Sequence, residues 1–286
     1  MRRFLSLLLL LVFVGCAAAE EYYVPTVSAP KHSARHITQE EFLHSVNNPR
    51  IFLNAPDERI FAGIVPHHST AAVLISGFFS LAQQHEYDLV IILAPNHEGD
   101  VAPVVLSDLD WDVGEGVTTH QPFVADLLDS GINAAIDHRR MEMEHSASIL
   151  IPYINHYLPG AEVAPMLLNR SLSFYATIEI FEWLKAWITD SDKNVLLVAS
   201  IDFSHFLPVP YSREMDRQTK EAIFANDLRR IHSMSAHHLD SAASMIIFLL
   251  YLESLGLTPQ IIAHTDASEF LGPMLQETTS YMIIVG

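Results

Sequence analysis

Apolar residues along this chain fall into two kinds of block. Continuous runs that stop at proline or a polar turn predict strands buried on both faces. Three are unambiguous: Ile60 to Val65 before Pro66, Leu89 to Ala94 before Pro95, and Val195 to Ser200. Weaker runs at Val101 to Leu106, Val163 to Leu168, Ile261 to His264 and Tyr281 to Val285 predict further strands. Between them lie stretches with helical character: Thr70 to Gln84, Gln121 to Ser130 with Pro122 suited to a first turn, Ser146 to Tyr157, Ser173 to Ile188, and about 212–226 and 239–255. Alternating strands and helices predict an α/β fold, with a largely parallel central sheet flanked by helices. No internal repeat or composition break divides it, so residues 36–286 read as a single domain.

The first residues follow another pattern. Arg2 and Arg3 precede an apolar run from Phe4 to Val14 and small residues up to Ala19, the layout of a secretory signal peptide over 1–19. The run is short for a membrane span. The chain's one cysteine, Cys16, follows Val14 and Gly15, which resembles a bacterial lipobox with Phe13 in place of leucine. The expectation is an exported protein, lipidated at Cys16 or cleaved near Ala17 to Ala19. Glu20 to Arg35, with Pro25 and Pro30, reads as a polar tether.

Composition then narrows the chemistry. One cysteine excludes a disulfide scaffold and a thiolate metal cluster. With 34 acidic residues against 16 Lys and Arg, the formal charge is −18, which argues against nucleic acid as a partner. It also leaves an acyl anchor as the one route to a membrane surface. Histidine, at 16, equals all Lys and Arg together. No G-x-G-x-x-G follows a strand, and there is no P-loop, H-E-x-x-H or G-x-S-x-G.

Position carries more than number. Each of the three clear strands runs into a histidine segment: GIVPHHST with His67 and His68, ILAPNHEG with Asn96 and His97, and VASIDFSHF with Asp202, Ser204 and His205. Ligands in open α/β sheets bind beyond the carboxyl ends of the strands, and parallel strands bring those ends to one edge. MEMEHSAS places Glu142, Glu144 and His145 at a helix start, and HHLDSAAS places His237, His238, Asp240 and Ser241 at another. Structural roles compete with chemical ones: Glu144 as a first-turn acid, Asp240 or Ser241 as an N-cap, Asp202 and Ser204 as turn residues. His68 is expected to point away from His67. His120 reads either way, and His32, His36, His44, His85, His138, His156 and His232 read as surface or packing residues.

GIVPHHS, ILAPNHEG, MEMEHSASILIPYINHYLP, VLLVASIDFSHF and SAASMIIFLLYLESLG, in this order over about 63–257, resemble the Memo family, also called AmmeMemoRadiSam system protein B. The first motif departs from the commoner P-H-A-G-Y form. The resemblance implies a fold similar to the class III extradiol (LigB-type) dioxygenases, which bind non-haem iron with two His and one acidic residue. It implies metal ligands at His67 and His97, with the family's usual cysteine falling on Ser241. Asp240, one residue away, would be a hard substitute ligand favouring iron or zinc. Fe(II) is the favoured divalent ion, with Zn(II) or Cu(II) as alternatives. His145 and His205 would then handle protons beside a small-molecule substrate, oriented by Glu144 and Asp202. Three readings stay open: a dioxygenase-like oxidoreductase, a non-catalytic metal- or ligand-binding envelope protein, and a metal-assisted hydrolase. The first and third require the imidazoles of His67, His97 and His205 to converge on one point.

Overall fold

The computed structural model describes residues 29–99 and 102–286. The leader, the lipobox with Cys16, and most of the tether lie outside the described residues.

In chain order the elements are α1 (Gln39–Asn47), β1 (Ala62–Val65), a 3-10 turn (Ser69–Ala71), α2 (Ala72–Ala82), β2 (Leu89–Asn96), β3 (Val104–Leu106), α3 (Gln121–Asp129) and β4 (Ala134–Ile136). There follow α4 (His138–Met143), α5 (His145–Ser148), α6 (Ile151–Tyr157), β5 (Glu162–Asn169), α7 (Phe174–Asp190) and β6 (Val195–Ser200). The chain closes with α8 (Val209–Phe224), α9 (Leu228–His232), α10 (Ala242–Ser254), β7 (Gln260–Asp266), α11 (Ser268–Leu271) and β8 (Ser280–Val285).

The strands form one sheet in the order β4-β3-β5-β2-β6-β1-β8-β7. The four central strands, β5, β2, β6 and β1, are mutually parallel. The flanks reverse: β3 pairs antiparallel to β5, β8 antiparallel to β1, and β7 antiparallel to β8. The sheet is therefore mixed, and the parallel character holds for its buried centre. The continuous apolar runs belong to that centre, where both faces are covered.

Pleating divides the core. In β2, Val90, Ile92 and Ala94 face a layer with Leu74, Ile75 and Phe78 of α2 and Ile151 and Ile154 of α6. Leu89, Ile91 and Leu93 face the opposite layer, with Ile180 and Leu184 of α7 and Met245, Ile246 and Leu249 of α10. This alternation is the period-2 geometry of a strand buried on both sides. Gly63 in β1 is required by close approach, because a Cβ there would collide with the Phe78 ring.

Local chemistry sets the helix ends. Thr38 and Glu41 form a reciprocal capping box on α1. Ser173 caps α7 and Ser241 caps α10. The helix expected over 146–157 is two pieces, because Pro152 lacks an N–H and sits in the first turn of a new helix. The stretch read as a tether does not hang free at its end. His32 is 2% exposed, its backbone N–H donates to Asp110 O at 2.7 Å, and its ring contacts Ser107 Oγ at 2.6 Å and Glu142 Oε2 at 3.0 Å. Among the described residues no helix is long and apolar enough to cross a membrane.

Candidate metal centre

β2, β6 and β1 are parallel neighbours, so their carboxyl ends meet at one edge of the sheet. His67 follows β1 by one residue beyond Pro66, His97 follows β2 directly, and Asp202 and His205 lie in the loop after β6. Glu144 and His145 stand where α4 passes into α5, and Asp240 immediately precedes the cap of α10.

The cluster converges on the Asp240 carboxylate. Its Oδ2 lies 3.0 Å from His67 Nε2, 3.6 Å from His97 Nε2 and 4.0 Å from His205 Nε2. Asp202 Oδ2 is 3.6 Å from His67 Nε2. The His97 and His145 rings stack with centroids 4.7 Å apart, and each lies just over 5 Å from the His67 ring, at 5.3 and 5.1 Å respectively. Two groups have ligand atoms close enough to share an ion: His67, His97 and His145, and His67, Asp202 and Asp240.

Hydrogen bonds behind the cluster choose the tautomers. Ser200 Oγ donates to Ser146 O at 2.6 Å, so it must accept from His67 Nδ1–H at 3.0 Å. His97 Nδ1–H donates to Glu144 Oε1 at 2.9 Å, and His205 Nδ1–H donates to Ala236 O at 3.2 Å. Three imidazoles thus spend Nδ1 on the protein and turn Nε2 toward Asp240. Backing of the far ring nitrogen by carboxylate, hydroxyl or carbonyl is the usual support for a metal-ligating histidine. Glu144, 1% exposed, also accepts His97 N–H at 2.8 Å and Ser146 N–H at 3.1 Å.

These tautomers call for a positive charge at the point of convergence. A neutral His67 protonated on Nδ1 has only a lone pair on Nε2, which faces a carboxylate oxygen 3.0 Å away. Two acceptors at that distance need a proton or a cation between them. His67 Nε2 and both Asp240 oxygens are buried and make no well-formed hydrogen bond. Imidazole and carboxylate donors of this kind suit a divalent ion such as Fe(II) or Zn(II).

Electrostatics follow from the same crowding. Burial disfavours charge on His67, but Asp202 and Asp240 outweigh it and raise its pKa. Burial likewise opposes the charge on His97, yet the Asp240 carboxylate 3.6 Å away and the Glu144 carboxylate bonded to its Nδ1 push it up to about 9. Burial would raise Glu144, but hydrogen bonds from His145 and His97 hold it well below the ordinary carboxylate range. Asp240 is also held low, with His67 overcoming burial. His205 moves down, because burial exceeds the pull of Asp240 and Asp202.

These shifts give metal-free protein a defined pH response. The pKa of His97 rises from 6.5 to about 9 on folding, so its contribution is complete below 6.5 and lost as pH climbs through 9. Glu144 starts from 4.5 and falls, so its contribution is present above 4.5 and lost on acidification. Chelator-stripped protein should therefore melt highest between about pH 5 and 6.5 and lose up to about 3 kcal/mol by pH 9. Thermal melts with EDTA across pH 4 to 10 check this, and a melting temperature climbing steadily above pH 6.5 would refute it.

Residues 31–282 match the family model for Memo-like proteins. The chain belongs to the Memo family. The MEMO1 family protein of Metallosphaera sedula is 24% identical over 238 residues, covering 80% of this chain and 79% of that one. That of Methanococcoides burtonii is 28% identical over 185 residues, covering 63% and 68%. The uncharacterized protein JW3007 from Escherichia coli K12 has a crystal structure that superposes with a TM-score of 0.52. It shares 13% identity and is covered to 99% of its length, against 79% of this chain, so the likeness is one of fold. Family membership begins at residue 31, earlier than the motifs, in keeping with the packing of His32 on the body.

Several positions differ from the sequence reading. Ser241 is the N-cap of α10: its Oγ accepts Ser244 N–H at 3.3 Å and pairs with Ser244 Oγ at 2.6 Å. Asp240 takes the place facing the histidines, because its backbone N–H donates to Asp202 O at 3.1 Å and pins it to the β6 loop. His68 does not turn away, since its Nδ1 lies against Asp202 Oδ2. His36 reaches Ser148 Oγ and lies 6.1 Å, ring to ring, from His145. Ser200 carries no sign of its role in the sequence, where it is only the last residue of an apolar strand. His237 and His238 are not in the cluster; His238 contacts Gln218 Oε1 at 3.3 Å. His120 bonds Glu162 Oε2 at 2.7 Å, away from the centre.

Proposed function

We propose that this Memo-family chain is an exported metalloprotein. It holds one divalent cation, Fe(II) by preference, through His67 Nε2, His97 Nε2 and Asp240, and acts as a dioxygenase-like oxidoreductase on a small molecule. The observation that supports this reading is the facing of His67 Nε2 and the buried Asp240 carboxylate, a pairing that needs a proton or a cation between them and that a divalent ion would satisfy together with His97. The basic and apolar leader of 1–19 supports export.

A ferrous ion with two imidazoles and one carboxylate supplies open coordination positions and redox chemistry. The chain's own residues supply the rest. Ser200 and Glu144 hold the ligand rings in one orientation. His205, kept neutral by burial, offers Nε2 to accept a proton from a substrate hydroxyl. His145 leans on Glu144 at 3.2 Å and lines the same cavity as His205, where it would hold a second proton. Asp202 accepts the backbone N–H of His67 at 3.1 Å and steadies His68.

Elemental analysis of protein purified from its own host, followed by oxygen-uptake assays with catechol, tests this. The expected result is close to one iron per chain and catechol-dependent oxygen consumption. Zinc with esterase or amidase activity would favour the hydrolase. Absence of metal, with no effect of His67→Ala or His97→Ala, would sink both enzyme readings.

A further inference from the structure

We propose that Asp216 of α8 is a positioning residue that acts through Ser280 and Ser204 to fix the turn aiming His205 at the metal centre. Its consequence for turnover rests on the proton-accepting role proposed for His205 above.

α8 turns a polar stripe into the protein. Its buried side chains are Ser212, Asp216, Thr219, Ala222 and Ile223. They share one helix face, yet three of the five are polar where a core-facing stripe is ordinarily apolar. Asp216 is the costly member, since a carboxylate only 1% exposed must be compensated. Among the described residues no Lys or Arg pairs with it. Two hydrogen-bond donors satisfy it instead: Ser280 Oγ–H reaches Oδ1 at 2.7 Å, and His264 Nε2 reaches Oδ2 at 2.8 Å. His264 Nδ1 accepts from the Lys220 ammonium at 3.3 Å, so the ring's proton sits on Nε2 and points at Asp216.

The carboxylate sets the direction of every bond beyond it. It can only accept, so the Ser280 hydroxyl spends its one proton there and is left as an acceptor. Ser280 Oγ then takes both donors of Ser204, the backbone N–H and the hydroxyl, each at 3.0 Å. Ser204 Oγ, its own proton committed, accepts the Ser212 hydroxyl at 2.6 Å. Phe203 N–H donates to Ser280 O at 3.0 Å, and Ser280 N–H to Ser204 O at 2.9 Å. Ser204 is thereby fastened to β8 by backbone and side chain alike.

The two residues that follow are the ones that need holding. Leu207 and Thr278 exchange backbone bonds at 3.3 and 2.8 Å, so His205 and Phe206 span the gap between two anchored points. Phe206 has a φ of +51°, in the left-handed region that a bulky side chain rarely adopts. Such a conformation persists only where its surroundings over-determine it. The turn carries His205 inward to 8% exposure, with Nε2 4.0 Å from Asp240 Oδ2. The ring has one further hold, from Nδ1–H to Ala236 O at 3.2 Å. Released from Ser280, the turn relaxes toward ordinary φ and carries the imidazole away from the centre.

Diethyl pyrocarbonate labelling of the metal-free full chain, read histidine by histidine by mass spectrometry, tests this. Asp216→Ala should raise the labelling rate of His205 about tenfold or more, while His67, buried and outside the network, keeps its wild-type rate. Ser280→Ala should do the same, and the double variant should add little, because both cut one chain of bonds. Asp216→Asn should recover most of the protection, since its carbonyl still accepts from Ser280. In iron-loaded protein Asp216→Ala should lower kcat for catechol-dependent oxygen uptake about tenfold with KM little changed. Unchanged His205 labelling in either alanine variant, His67 labelling that rises in step with His205, or effects of the two variants that simply add would each overturn the proposal. Should Asp216→Ala not fold, Ser280→Ala and Asp216→Asn decide it on the same readings. No catechol turnover in the wild type, with His205 labelling responding as stated, would discard the oxidoreductase reading and leave Asp216 as the residue that places His205.

Discussion

Asp240→Asn is expected to weaken divalent-metal affinity by roughly 100-fold or more, beyond the loss usual for a residue that only supports a ligand. The amide keeps the shape of the carboxylate but removes the charge that faces His67 Nε2 at 3.0 Å and His97 Nε2 at 3.6 Å. The metal-free fold should survive, because Asp202 remains as a partner for His67 and one of two adjacent buried carboxylates is neutralised. Ser241→Ala is the control. It should cost about 1 kcal/mol of stability through the lost cap of α10 and leave metal binding intact. Competition titration with a chromophoric chelator, beside thermal melts in EDTA, reads both. If the Asp240→Asn variant kept wild-type affinity while the Ser241→Ala variant lost it, the ligand would be Ser241 and the geometry above would be wrong.

Glu144→Ala should damage folding and metal binding together. Glu144 is buried and accepts four contacts: His97 N–H, His97 Nδ1–H, Ser146 N–H and the His145 ring. Alanine leaves these donors in a space closed to bulk water. Each unsatisfied buried donor costs about 1–3 kcal/mol, so a total of about 3 kcal/mol or more is expected. His97 also loses the partner that selects its tautomer, which should lower metal affinity by about 10- to 100-fold. Glu144→Gln should recover part of the stability but not the tautomer control, because its amide group brings donors toward donors. Chemical denaturation and chelator competition on the two variants measure this. Full wild-type stability in Glu144→Ala would show that Glu144 is not the hub.

Much of the fold is legible in the amino-acid order. The central strands are readable because burial on both faces demands unbroken apolar runs, as at Leu89–Asn96 and Val195–Ser200. The edges are less so. β4 is only three half-buried residues and carries no strong period, and the partly exposed β7 is legible only over Ile261 to His264. α1 is largely polar, and its readable sign is the capping box of Thr38 and Glu41. His68 and His36 look like neighbours of nothing in the sequence, and only packing brings one to Asp202 and the other to Ser148.

The order of residues by itself determined the α/β class, the family, and the histidines and carboxylates placed at strand and helix tips. Those depend on local periodicity and on motifs that are contiguous in the chain. The tertiary structure decided which of two adjacent residues, Asp240 or Ser241, faces the cluster. It also decided which imidazole nitrogen is left free. Each depends on contacts between segments far apart in sequence: the bond from Asp240 to Asp202 and the hydroxyl of Ser200 behind His67. A one-residue shift at a helix start reverses a ligand and a cap, and no local pattern distinguishes them, because both residues are polar and both are good caps.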